Sequence, residues 1–524
     1  MDLANYTKQC FHDPESRFTL DLSGLAIATD YRAQDADRFA AIYAAMADLE
    51  SGAIANPDEN RMVGHYWLRN STLAPSTELK DAIDATLIDI KRFSASVLDG
   101  KLTAANNAPF TDLLVIGIGG SALGPQFVVD ALATGENGLC VHFLDNTDPA
   151  GMDRVFNRIC DKLLNTLVLV ISKSGGTAET RNGMIETMYR YDTLNIPFHK
   201  QAVAITGEGS ALSQRAENEG WLAQFPMWDW VGGRTSVMSA VGLLPAALAG
   251  IDIDAFLAGA RHMDALTRSP GLMENPAALL STAWYRVTKG HGERDMVILP
   301  YKDQLLLFSR YLQQLIMESL GKELDLNGGT VEQGIAVYGN KGSTDQHAYI
   351  QQLRDGLDNF FVTFLEVLQD RAGDSHPVDG LNTSGDYLFG FLEGTRAALS
   401  EKQRPFLAIS IPEVSPFTIG MLIALYERSV GYYATMVNIN AYHQPGVEAG
   451  KRAAGGVLDL QQRVLQHLQT SSKALGILEL VKALRLTAEQ EDLLYRILRH
   501  LHANGRVTLD AGSFADWRSL RFTI

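Results

Sequence analysis

The stretch that most constrains the fold is residues 167–180, L-V-L-V-I-S-K-S-G-G-T-A-E-T. Five apolar residues stop abruptly at hydroxyls, a lysine and two glycines. That is the pattern of a buried strand that ends, turns and starts a helix. The N–H groups of a first helical turn lack partners and carry a partial positive charge. Gly175 and Gly176 let the backbone approach a ligand, and Ser172, Ser174 and Thr177 offer hydroxyl protons, so the turn can hold a phosphate. An ordinary capped strand–helix turn fits the same residues equally well. The spacing is not G-x-x-x-x-G-K-[ST], which excludes a nucleotide P-loop.

The same texture surrounds this stretch. Residues 112–116 form a short apolar run followed by Gly117-Ile118-Gly119-Gly120-Ser121-Ala122-Leu123-Gly124-Pro125 and a helix through Ala133. Further strands are expected at 141–144 and 202–206. Strands alternating with helices predict a parallel α/β sheet covered on both faces, with ligands at the carboxyl ends of its strands. A second such pattern begins at 296–300, with strands at 359–367 and 406–411 and helices at 277–287 and 416–435. Two α/β domains in tandem follow, at 106–270 and 271–452. An N-terminal helical segment at 1–105 precedes them, and a small leucine-rich unit at 453–524 begins with Ala453-Ala454-Gly455-Gly456.

A length of 524 residues suits several domains, not one core. A net charge of −16 argues against nucleic-acid binding but leaves room for a locally positive pocket that takes a small anion. Cys10, Cys140 and Cys160 are an odd number without C-x-x-C spacing, as in a reduced cytosolic protein. The N-terminus lacks the features of a signal peptide. The most apolar helix, near 421–437, is broken by Glu427 and Arg428, which predicts no membrane span.

Four polar positions at element ends can complete a site with the phosphate turn. Glu318 lies beside an apolar helix face, where desolvation would make it a better base. Arg234 follows two glycines in Trp230-Val231-Gly232-Gly233-Arg234-Thr235-Ser236. His347 sits in Gly342-Ser343-Thr344-Asp345-Gln346-His347-Ala348-Tyr349, and Lys451 ends Tyr442-His443-Gln444-Pro445-Gly446-Val447-Glu448-Ala449-Gly450-Lys451. Each alone is an ordinary solvated or capping residue. Together, a carboxylate base, a cation for a developing oxyanion and a His/Lys pair suit proton transfer beside a carbonyl. His65, in Glu59-Asn60-Arg61-Met62-Val63-Gly64-His65-Tyr66-Trp67-Leu68-Arg69, reads as a packed, hydrogen-bonded histidine. No metal-ligand cluster is evident in the sequence.

These motifs, in this order, resemble the glucose-6-phosphate isomerase family from about residue 55 to 455. The resemblance implies two sugar-isomerase (SIS-type) α/β domains and a homodimer whose active site is shared between subunits. It implies reversible conversion of glucose 6-phosphate to fructose 6-phosphate through ring opening and a cis-enediolate, in the cytoplasm, without cofactor, metal, nucleic acid or membrane. Ser172, Ser174 and Thr177 would hold the phosphate with Gly120 and Ser121, and Lys173 would line the same pocket. His347, supplied by the partner subunit, and Lys451 would open the ring. Glu318 would move the proton, Arg234 would stabilise the enediolate oxygen, and Gln444 would position substrate. Glu179 is a less specific match.

Three features depart from the family pattern. Thr235 replaces an aromatic residue, Gly175-Gly176 replaces bulkier residues, and the segment after 455 exceeds the usual terminal helix, with a texture like a winged-helix module. A sensor built on the same domains would not need Glu318, His347, Arg234 and Lys451 together. A dinucleotide enzyme would need G-x-G-x-x-G in frame and an acidic residue at a later strand end.

Overall fold

Runs that are apolar at nearly every position form the centre of both sheets. The strands Asp112–Ile116, Thr166–Ile171 and Ala202–Thr206 are buried along their whole length. A computed structural model describes residues 7–25 and 31–524, apart from the side chains of 31–34, 36, 37, 447–449, 451 and 452. The first sheet has the order Cys140–Leu144, Asp112–Ile116, Thr166–Ile171, Ala202–Thr206, Ala223–Pro226, and every pairing is parallel. Alternate side chains leave opposite faces of each strand. Leu113, Val115, Leu167 and Leu169 enter the main core, whereas Leu114, Ile116, Val168 and Val170 pack with Met152, Phe156 and Tyr191 on the other face. The fifth strand, A-Q-F-P, is too short and too polar to stand out in the sequence.

The second sheet has the order Cys10–Asp13, Phe18–Asp21, Phe406–Ile411, Phe360–Val367, Asp295–Pro300, Val337–Tyr338. Its last four strands are parallel; three of them correspond to the expected second α/β pattern, and the two-residue Val337–Tyr338 was not foreseen. Its first two form an antiparallel hairpin whose second strand pairs with Phe406–Ile411. The N-terminal segment, expected to be helical, therefore also supplies two strands to the second sheet. The hairpin runs are only four residues each and carry charge, which hid them. The expected helices are present at Tyr31–Glu50 and Thr77–Leu98.

The helix Pro416–Met436 is buried almost throughout. It crosses Ile253–Leu266 closely enough that a Cβ on Gly259 would lie 1.8 Å from the Phe417 carbonyl, and one on Gly420 2.0 Å from the Phe256 carbonyl. Glu427 and Arg428 do not reach solvent. Arg69 donates to Asp264 at 2.9 Å and to Glu427. Arg428 donates to Asp264 at 2.7 Å and to Glu50, and Arg268 donates to the same two carboxylates. No helix among the described residues is long and apolar enough to cross a membrane.

Residues 444–524 form a second compact unit. It begins at 444 and not at the expected 453, because its helix Pro445–Thr470 runs through the glycines at 455 and 456. Leu460, Val464, Leu480, Leu494, Leu498 and Phe522 form its core. The helices Ile477–Leu484 and Ala488–Ala503 and a three-stranded antiparallel sheet complete it, with Asp516–Thr523 in the middle.

The buried ionic cluster generates a test. Burial alone would raise the Asp264 pKa, but Arg428, Arg69 and Arg268 hold it well below the carboxylate range. A depressed native pKa adds stability above the unfolded value of about 3.9, and that stability is lost as the pH falls below it. Asp264→Ala leaves the buried Arg69 and Arg428 and the half-buried Arg268 short of a partner and is expected to cost about 3–5 kcal/mol in denaturant unfolding. The variant should also show a shallower loss of stability between about pH 4 and pH 2 than the parent chain.

Candidate active site

The turn after Thr166–Ile171 has the geometry of an anion pocket. Ser172 Oγ accepts from the Gly175 amide, and Ser174 Oγ accepts from the Gly176 amide, both at 3.1 Å. Each hydroxyl proton is left to point elsewhere. Gly175 has φ +72°, and a Cβ there would lie 2.5 Å from the Leu212 amide nitrogen, so only glycine suits the position. Thr177 is the N-cap of Ala178–Thr193, yet its side chain makes no capping hydrogen bond. Glu179 is in the first turn of that helix. Lys173 turns away from the loop. Its ammonium donates to the carbonyls of Asp229 and Val231 and pairs with the Asp229 carboxylate at 3.2 Å. Burial lowers its pKa, and Asp229 opposes the change.

Lys173 thus ties the phosphate turn to the segment that carries Arg234. The first glycine turn reaches the same segment. A Cβ on Gly120 would sit 1.9 Å from the Gly233 carbonyl, and Ser236 Oγ bridges the two turns through the carbonyls of Gly233 and Gly120. Ser121 closes the short 3₁₀ turn Gly119–Ser121. Arg234 itself is only 5% exposed. Its guanidinium donates to Ser319 Oγ at 2.9 Å, to the Ala441 carbonyl, and to the His443 carbonyl at 3.1 Å. Burial lowers its pKa, and Glu318 and Glu59 act against that. Thr235 in place of an aromatic residue does not prevent this packing.

Glu318 lies 4.0 Å from the Arg234 Nε and is half-buried. The sequence suggests one α-helix over 308–320. The structure has an α-helix at Phe308–Leu312 that widens into a π-helical turn at Gln313–Glu318. Such turns recur at functional sites because they redirect side chains by a fraction of a turn. Lys322, the last residue of Met317-Glu318-Ser319-Leu320-Gly321-Lys322 and given no role from the sequence, is 5% exposed and donates to the Glu318 carbonyl at 2.7 Å. Asp58 and His443 are also drawn in: they influence each other's charge across 3.8 Å, and Asn440 donates to Asp58 at 2.6 Å. Nothing in the local pattern of Lys322 marked it, since its burial depends on segments distant in sequence.

His347 ends the 3₁₀ turn Thr344–His347 and is exposed. No hydrogen bond or ion pair joins it to Glu318 or Arg234 among the described residues. The loop around it is held by Asp345, which accepts from the Asn340 amide at 2.8 Å and from the Tyr349 hydroxyl. Gln444 is the N-cap of Pro445–Thr470 and belongs to the second compact unit. Lys451 is in that helix, and its side chain lies outside the described residues. His65 is packed as expected, its ring tilted against that of Tyr66 with centroids 3.9 Å apart. Its Nε2, expected to be hydrogen-bonded, has no partner among the described residues, and burial followed by Arg69 and Arg428 pushes its pKa well down.

The structure also brings together a trio that the sequence did not reveal. Asp112, Cys140 and His142 place donor atoms within 4.8 Å of one another, at the strand ends opposite the glycine turns. The buried Asp112 carboxylate accounts for the arrangement: His142, Lys162 and Thr111 satisfy it.

The family of the chain is shown by its likeness to known proteins over nearly its whole length. A family model described as phosphoglucose isomerase matches residues 33–380 and 396–476. The chain belongs to the phosphoglucose isomerase family. The glucose-6-phosphate isomerase of Thermosynechococcus vestitus is 57% identical over 518 residues, 99% of this chain and 98% of that protein. That of Nostoc punctiforme is 59% identical over 487 residues, 93% and 92% of the two chains. A crystal structure of a glucose-6-phosphate isomerase from Chlamydia trachomatis superimposes with a TM-score of 0.79 at 25% identity, covering 88% and 92% of the two chains. The Thermosynechococcus match extends over nearly the whole chain, so the unit after residue 455 is shared with that family member.

Gly120→Ala tests the contact between the two glycine turns. A methyl group there forces the Gly233 backbone, and with it Arg234, out of place. A displacement near 1 Å in a site costs on the order of 10²-fold. kcat/KM is expected to fall by about that factor, with circular dichroism unchanged.

Proposed function

We propose that Glu318, Arg234, His347 and Lys451 carry out the isomerase reaction in this chain. The chain interconverts glucose 6-phosphate and fructose 6-phosphate by aldose–ketose isomerisation, a step of glycolysis and gluconeogenesis. In this reading Ser121, Ser172, Ser174 and Thr177 donate to the substrate phosphate, with Gly120 leaving room for it. Lys173 adds positive potential while anchoring the loop to Asp229. His347 and Lys451 open the sugar ring, and Gln444 positions the open chain. Glu318 takes the C2 proton and returns it to C1, while Arg234 stabilises the enediolate oxygen.

The observation that carries this reading is the Arg234–Glu318 pair, 4.0 Å apart. The C2 proton of a sugar phosphate is weakly acidic. Removing it needs a fixed base and a fixed cation for the negative oxygen. A carboxylate can take the proton on one face and deliver it to the next carbon. Arg234 is always charged and already desolvated, so it is organised before substrate arrives.

The exposed position of His347, on a loop without a bond to Glu318 or Arg234, supports its service in the site of a second copy. A homodimer with shared sites is part of the same proposal. So is a cytoplasmic setting, supported by three cysteines that no disulfide joins among the described residues.

Glu318→Gln keeps the shape of the base but cannot accept a proton. It is expected to cut kcat by roughly 10²–10⁴-fold while substrate still binds. Exchange of the C2 proton with solvent, followed by NMR, should disappear with it; exchange at the parental rate would identify another base. Replacing Ser174 and Thr177 together with Ala should raise KM for the sugar phosphate and leave the weak binding of unphosphorylated glucose unchanged. Mixing His347→Ala with Glu318→Gln chains should restore part of the activity through hybrid dimers. No recovery after demonstrated subunit exchange would show that one chain supplies both groups.

A further inference from the structure

Lys322 has no part in the roles above, yet its position is tightly specified. It begins the strand Lys322–Leu324, which pairs with Thr330–Gln333, and Gln333 stands opposite it. The hairpin fixes its backbone, and its side chain folds back over the helix that carries Glu318. Nζ donates to the Glu318 carbonyl at 2.7 Å. That carbonyl ends the π-helical turn Gln313–Glu318, where carbonyl groups run out of intrahelical partners. A lysine at a helix C-terminus normally does this from the surface. Here the lysine is buried, which is expensive for an ammonium unless its charge is matched.

The groups that face it come from four separate segments. Arg234 comes from the turn Gly233–Thr235, Glu318 from the π turn and Asp58 from the N-terminal segment; His443, the fourth, closes the first compact unit. Burial and the neighbouring guanidinium push the Lys322 pKa down to about 8, while Glu318 and Asp58 pull it back up. His443 is pushed below its ordinary value by burial, so it does not titrate in the same range. Arg234 stays charged throughout.

We propose that Lys322 is a positioning residue for the isomerisation. Its ammonium clamps the Glu318 main chain at the end of the π turn, and its charge adds to that of Arg234 in favouring the negatively charged enediolate. This rests on the reading of Glu318 as the base. The clamp keeps the carboxylate beside the guanidinium. The charge disappears as the pH rises through about 8. The active site therefore loses affinity for an enediolate-like anion in mildly alkaline solution, before any arginine or tyrosine titrates.

The test uses Lys322→Met and Lys322→Gln in the full chain. The probe is a five-carbon phosphorylated aldonate, whose own groups do not titrate above neutrality. In the parent chain its affinity should fall as the pH rises from 7 to 9.5. In both variants the affinity should be lower at pH 7 and flat over that range. kcat should fall about 10–100-fold, as expected when a catalytic group loses its alignment, while KM changes far less. A folded Lys322→Met chain with parental kcat, or with the alkaline loss of affinity intact, overturns the proposal. If neither variant folds, the parent chain decides: constant aldonate affinity from pH 7 to 9.5 overturns it as well. Glu318→Gln separates the two ideas. It should keep the loss of affinity, which belongs to Lys322, with its midpoint moved to lower pH because the Glu318 charge no longer holds the ammonium in its protonated form. Full activity in that variant would instead remove Glu318 as the base.

Discussion

A guanidinium taken out of water must find oxygen partners, and Arg234 finds them in widely separated parts of the chain. Ser319 follows the π turn, and the Ala441 and His443 carbonyls come from the segment after Pro416–Met436. Gly120 and Gly233 allow the first glycine turn to lie directly against this arrangement. Lys173 ties in the phosphate turn through Asp229 and Val231. Motifs spread over more than three hundred positions in the sequence thus become neighbours around one cation. The site is organised by where that charge can be buried, and the two sheets supply the rigid ends from which the turns project.

A second group of buried charges does a different job. Arg69, Arg268 and Arg428 meet Glu50, Asp264 and Glu427 inside the main core, joining the N-terminal segment to two helices. The same pair of residues that broke the most apolar helix in the sequence is what couples that helix to its surroundings. Buried ion pairs of this kind contribute little net stability but are costly to leave half-formed. They favour one arrangement of the helices over alternatives that would strand a charge.

The sequence revealed those features whose physical signal is local. Residues 167–180 announce a strand, a turn and a helix by themselves, because continuous burial requires a continuous apolar run. The strands at 112–116, 202–206 and 406–411 were legible for the same reason. The hairpin at 10–21 was not, since its runs are short and its partner strand lies at Phe406–Ile411. The π turn at Gln313–Glu318 was also invisible: one extra residue per turn leaves the hydrophobic spacing nearly helical. Among the site residues, Ser172, Arg234 and Glu318 were singled out by type and flanking pattern. Lys322 was missed because a lysine after a glycine looks solvated until Arg234, Asp58 and His443 are seen to enclose it. The start of the last unit was set at 453 and not at 444 because glycines inside a long helix and glycines in a loop have the same composition.

The N-terminal hairpin also bears on how the molecule is made. Phe18–Asp21 pairs with Phe406–Ile411, so the first strands to be synthesised wait until most of the chain exists before they can join a sheet. Until then the hairpin can pair only with itself, the outer edge of Phe18–Asp21 is open, and the apolar faces of Phe11, Phe18 and Leu20 lack their final surroundings. The first sheet, by contrast, is complete once Ala223–Pro226 has emerged. The second sheet cannot close its outer edge by local assembly. Its completion is a late event that gathers the beginning of the chain to a strand near its end, covering an edge that would otherwise be open to another molecule.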